Sequence, residues 1–183
     1  MRFSAAVVRV EAGGRVRCER AYGRLRDAAD SAPCGVDTRF DVASITKVFV
    51  AGVALDAVAH GLVALDAPLA AALVPEWRTT EHAAIALRGI LAHDAGFKSG
   101  ADYRLLLGHD VERFALREPL AEAPGTRVIY SDLGFIALGT VLARAYGRAL
   151  APLVEERLRA WDAASTAYVP AAPDRRAMPA TET

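Results

Sequence analysis

Residues 40–47 read Phe40-Asp41-Val42-Ala43-Ser44-Ile45-Thr46-Lys47, and they set a hydroxyl and an amine three positions apart. Downstream, Val48, Ala51, Leu55 and Val58 recur at three-and-four spacing, and Gly61 stands where a left-handed cap would close a helix. This pattern predicts a helix over 44–60 that starts at or near Ser44. On a helix, positions three apart share one face, so Ser44 and Lys47 can touch. A serine hydroxyl is a weak nucleophile until a base takes its proton, and burial can lower a lysine pKa enough for it to accept one. Arginine cannot do this. The chain has twenty arginines and only two lysines, Lys47 and Lys98, so a lysine here marks a place where a guanidinium would not serve. With six serines, roughly 0.07 such spacings would arise by chance. A helix start also gathers unpaired N–H groups and the positive end of the helix dipole, which stabilise a developing oxyanion. The same residues are compatible with a serine that caps the helix and a lysine on a solvated face.

Working outward, 3–10 is rich in valine, 11–14 reads as a turn, and 15–22 alternates with Val16 and Cys18 on one face, which predicts a β-hairpin. A connecting loop over 27–38 leads to the short extended approach at 39–42. Beyond Gly61, residues 62–77 read as a loop with a short helical piece ended by Pro75, and 83–93 as a helix. Residues 98–103 are loop, and 111–116 form a short helix. Residues 131–146 make a strongly apolar helix closed by Gly147, and 150–161 a last helix with Pro152 in its first turn. The segment 169–180 is rich in Ala and Pro and is expected to be irregular, with no closing strand.

Tyr130-Ser131-Asp132 opens the strongest helix of the second half, and its phenol could relay protons. Ser131 as a cap with Asp132 in the first turn accounts for the pair equally well.

Composition narrows the function classes. Twenty-two basic and twenty-two acidic residues cancel and are scattered, so there is no electrostatic footprint for nucleic acid. A hydrophobic fraction of 53% is ample for a core. The apolar run over 48–65 is broken by Asp56 and His60, and 3–8 is too short for a secretory core, so neither a membrane span nor export is expected. Cys18 and Cys34 have no metal-like spacing, which suits a reducing, cytoplasmic setting. No metal or cofactor is expected.

The run 40–47, followed by Ile90-Leu91-Ala92-His93-Asp94-Ala95-Gly96 and then Tyr130-Ser131-Asp132-Leu133-Gly134-Phe135, resembles the ordered motifs of class C β-lactamase-type serine hydrolases, within the superfamily of β-lactamases, DD-peptidases and esterases. The resemblance implies an α+β, β-lactamase/transpeptidase-like fold: a mixed sheet flanked by helices, with a helical subdomain that contributes the tyrosine. It implies acyl transfer through an acyl-enzyme at Ser44, with Lys47 and Tyr130 sharing general-base and general-acid work and Asp132 at the substrate. The substrate would be a small ester, amide or β-lactam. Oligomeric state is left open.

Three departures from the family pattern matter. Asp94 and Ala95 replace hydroxyl residues of the family's Leu-x-His-Thr-Ser-Gly loop, where His93 is read as structural. Asp132 stands where the Tyr-x-Asn element has an amide donor, which bears on recognition of a penicillin-like carbonyl. The late Lys/His-Thr/Ser-Gly strand is missing, and Lys98-Ser99-Gly100 matches it by letter alone. The expectation is therefore one incomplete domain over 1–183, comprising a hairpin and loop at 1–40, a helical region at 41–168 and an irregular tail at 169–183, with the C-terminal strands missing. The competing reading is a non-catalytic interaction module derived from the same fold.

Overall fold

In the N-terminal part, Gly13 and Gly14 both take positive φ, 59° and 69°, a turn whose twist matches the strands it joins. Strands β1 (Ala5–Ala12) and β2 (Arg15–Gly23) pair antiparallel around it, from Ala5 opposite Gly23 to Ala12 opposite Arg15, with a register shift between Val10 and Glu11. The computed structural model describes residues 3–28, 30–163, 165–168 and 178–179. It falls into two units, one of residues 1–44 with 162–183 and one of residues 45–161.

In the first unit the hairpin forms as expected, but Val16 is 46% exposed and Val8 and Val10 are similarly open. The alternation therefore marks strand structure without marking a buried face. After β2 the chain is tied back to the hairpin by Arg24 N–H to the Ser4 carbonyl (2.9 Å) and Cys34 N–H to the Gly23 carbonyl (3.0 Å). Apart from Met178 and Pro179, the segment 169–180 read as an irregular end lies outside the described residues.

Among the described residues, the buried aliphatic and aromatic side chains, from Val50 to Leu158, lie in the second unit. Its helices are α1 (Thr46–Ala59), α2 (Leu87–Leu91), α3 (Val111–Ala115), α4 (Asp132–Tyr146) and α5 (Leu150–Ala160). Helix α1 packs on α4 and α5. It forms where predicted and ends before Gly61, which takes φ 70°, but its buried face is not the predicted one. Val50, Val53, Ala54 and Ala57 are inside, while Val48 and Leu55 are more than half exposed. Gly52 explains the close approach: a Cβ there would lie 3.0 Å from the Trp161 ring at the end of α5. Asp56 and Arg157 form an ion pair between the same two helices.

Two further expectations change. The helix expected over 83–93 is confined to α2, because Ala86 bridges to Pro68 and Leu69 N–H donates to the Ile85 carbonyl at 2.9 Å, holding 85–86 extended. Glu81–Ala84 forms a separate 3-10 turn. Pro75 opens the 3-10 turn Pro75–Trp77 instead of ending a helical piece; its fixed φ and missing N–H suit a first turn position.

The helix that positions the candidate site is α4. Its cap is Ser131, 2% exposed, whose Oγ accepts from Gly134 N–H (3.0 Å) and donates to the Lys98 carbonyl (2.5 Å). Asp132 N–H donates to the Ser99 carbonyl at 2.8 Å, so the Lys98–Ser99 backbone acts as a bracket for the helix start. Ser131→Ala removes a cap and orphans a carbonyl, and should lower unfolding free energy by about 1–3 kcal/mol in urea denaturation. A change within about 0.5 kcal/mol would show that the bracket does not need the hydroxyl.

Candidate functional site

Asp41 shapes the approach to Ser44. Its Oδ1 accepts from Ala43 N–H at 2.8 Å, and Ala43 takes φ 44°, a left-handed conformation that costs a residue with a Cβ about 1–2 kcal/mol. The 3-10 turn Ala43–Ile45 then runs directly into α1, so Ser44 precedes the helix by two residues. The cap position of α1 falls on Ile45, which makes no side-chain cap bond. Such strain is often found at functional turns.

Lys47, in the first turn of α1, lies among side chains of α4 and of the segment just before it. Its Nζ donates to Asp132 Oδ1 at 2.5 Å and sits 4.8 Å from the centroid of the Tyr130 ring and 5.7 Å from that of Phe135. Burial of Lys47 by itself lowers its pKa, but hydrogen bonds to Asp132 and Tyr130, with the charge of Asp132, outweigh it and hold the ammonium above its ordinary range. The expectation that burial lowers this lysine's pKa is thus reversed in direction. The cause is the acid at position 132, which stands at the N-terminal end of α4 where a carboxylate also suits the helix dipole.

His93 is held beside Tyr130 and Phe135. Its Nδ1 accepts from Ser131 N–H at 3.0 Å, its carbonyl accepts from Ile129 N–H at 2.8 Å, and its φ is 60°. Its ring packs on Tyr130 and Phe135, with centroids 4.6 and 5.2 Å away. Burial, then the nearby Lys47 charge, lowers its pKa and favours the neutral ring. The hydrogen bond at Nδ1 is the structural role read for this residue from the sequence. It also tethers the loop after α2 to the start of α4.

The structure thus brings Lys47, Tyr130 and Asp132 together, with Ser44 three residues before Lys47 in the chain. Lys98-Ser99-Gly100 is loop, and Lys98 pairs with Glu118 at 2.6 Å. Three contributors were not singled out from the sequence as site residues. Phe135, one turn into α4, gives a ring face to Lys47. Asp41 shapes the turn before Ser44; an Asp able to accept from the backbone N–H two residues on is the local signal that could have found it. Tyr103 is coupled electrostatically to Asp132 and Lys47, and burial followed by the Asp132 charge raises its phenol; nothing local in its loop marks it. Among the described residues, no group of three or more His, Cys, Asp or Glu could hold a metal ion, and no single helix is long and apolar enough to cross a membrane.

A family model described as Beta-lactamase matches residues 1–182. Among curated relatives, the chain is 34% identical to Esterase EstB of Burkholderia gladioli, with 97% of this chain and 50% of that protein covered. Among solved structures it is similar to the D-alanine carboxypeptidase AmpC from Burkholderia cenocepacia, at 25% identity and TM-score 0.77, over 97% of this chain and 48% of that one. It is also similar to a class C beta-lactamase from Rhodobacter sphaeroides, at 28% identity and TM-score 0.69, over 84% of this chain and 43% of that one. The chain spans between 34% and 50% of the length of the curated relatives it matches.

Proposed function

The chain belongs to the beta-lactamase family and has the β-lactamase/transpeptidase-like fold, and from that premise we propose that it carries the nucleophile-bearing part of a serine hydrolase that forms an acyl-enzyme at Ser44. The observation that carries the proposal is the placement of Lys47. It stands three residues after a serine on a strained turn, in contact with Asp132 and with the ring of Tyr130. In this reading Ser44 Oγ attacks the acyl carbon, and its proton passes to the Lys47–Tyr130 pair, which returns it to the leaving alcohol. The oxyanion is met by backbone N–H groups at the start of α1.

Asp132 supports an ester substrate over a β-lactam. An ionised carboxylate only accepts hydrogen bonds, so a substrate amide carbonyl finds no donor there. The second reading, an interaction module without turnover, is favoured by one observation: the Asp132 carboxylate pairs with the Lys47 amine and favours its ammonium form, which cannot accept a proton.

Hydrolysis of a short-chain p-nitrophenyl ester separates the two. Residues 1–183 are compared with the same residues supplied with a segment carrying a Lys/His-Thr/Ser-Gly strand, each beside its Ser44→Ala form. A second oxyanion donor is worth about 10²–10³ in turnover, so the supplied chain should be faster by roughly two orders of magnitude or more. Equal rates for both forms would show that residues present here complete the site. No Ser44-dependent hydrolysis in either would leave the interaction module standing.

A further inference from the structure

Lys47 is held by a residue 85 positions away in the sequence. Its side chain is only 16% exposed, whereas that of Asp132 is 43% exposed. Around the amine stand Asp132 at the start of α4, Phe135 one turn further along α4 and Tyr130 from the segment before α4, while His93 in the loop after α2 and Tyr103 in the 101–110 loop interact with it electrostatically. His93 is shifted towards its neutral ring and Tyr103 towards its neutral phenol. Asp132 is the carboxylate among these groups, and its Oδ1 is in hydrogen-bond contact with the amine.

An acid in the first turn of a helix is favoured by the dipole wherever it points, so position alone says little about Asp132. The contact says more. A partly buried ammonium that loses its carboxylate pays desolvation with no opposite charge in return, and tends to give up its proton. We infer that Asp132 is a positioning residue that acts through Lys47: its carboxylate is the counter-ion that fixes the amine in place and keeps it charged. It follows that proton acceptance by Lys47 is suppressed in the resting site and rises when the carboxylate is removed or engaged elsewhere. The ion pair stands on geometry, while its consequence for catalysis rests on the hydrolase reading.

The two lysines of the chain make the test direct. Selective ¹³C-lysine labelling gives two side-chain signals, assigned with Lys98→Arg, and their pH titrations are followed by NMR on a Ser44→Ala background so that acylation plays no part. In Asp132→Asn, Lys47 should titrate at lower pH than in the parent, with the neutral amine about tenfold or more enriched at a given pH below both midpoints. Asp132→Glu should restore the parent titration, and Lys98 should not move. A structural role for Asp132 would leave the Lys47 titration where it was, and that result overturns the inference.

Should Asp132→Asn fail to fold, Asp132→Ser is read in the same way: Lys47 should again titrate at lower pH than in the parent, and an unmoved Lys47 titration there overturns the inference. Acylation is scored separately with Ser44 intact. Absent labelling with a shifted Lys47 titration removes the hydrolase reading and keeps the counter-ion; labelling with an unmoved titration does the reverse.

Discussion

A fluorophosphonate offered to this chain should label Ser44 and leave Ser4, Ser31, Ser99, Ser131 and Ser165 unmodified, as read by mass spectrometry of the digested protein. Acylating probes select a serine whose hydroxyl can lose its proton to a neighbour and whose oxyanion meets donors. Ser44 is exposed, follows a residue with φ 44°, and precedes the first turn of α1, where Lys47 stands. Ser131 has its hydroxyl committed both as donor and as acceptor and is buried. Ser99 lies in the loop whose carbonyl receives the Asp132 N–H. Ser44→Ala should abolish labelling and, in a chain that turns over ester, reduce the rate by at least about 10³-fold, since loss of a serine nucleophile costs on the order of 10⁶ in a well-measured hydrolase. Modification of Ser99 or Ser131 in place of Ser44 would refute the assignment.

Lys47→Arg should slow that labelling by about 10²–10⁴-fold while leaving the fold in place. The magnitude is that of losing a positioned proton acceptor. The fold should survive because a guanidinium keeps its charge and can still pair with the Asp132 carboxylate, whereas it cannot be deprotonated at any pH the protein withstands. The measurement is the pseudo-first-order rate of fluorophosphonate incorporation, with thermal melting by circular dichroism as the control on folding. A variant that melts like the parent and labels at a near-parental rate would reduce Lys47 to a structural cation. A variant that does not fold would show that the 2.5 Å contact with Asp132 demands the slimmer ammonium.

Helix α4 shows how much of this protein is legible locally. Ser131 caps it through Gly134 N–H, and Gly147 closes it with φ 61°; each signal acts within a few residues of itself, so sequence alone determined both ends. The hairpin is of the same kind, because two glycines with positive φ specify its turn. The ordered motifs at 40–47, 90–96 and 130–135 were legible as a family pattern for a related reason: they record side-chain chemistry, which needs no knowledge of packing.

Tertiary structure decided the rest. Helix α1 is apolar on nearly every side, so its spacing could not say which stripe is buried, and the approach of α5 at Gly52 selected Val50, Val53, Ala54 and Ala57 over Val48 and Leu55. The start of α2 moved to Leu87 because Pro68, far back in the chain, holds Ala86 extended. Asp132 was visible in the sequence as an acid at a helix start, but its effect on Lys47 is exerted across 85 positions. The spacing of Ser44 and Lys47 is a local property and was fixed by sequence. The charge on Lys47 is a balance between burial and a partner brought by the fold, and only the packed structure sets that balance.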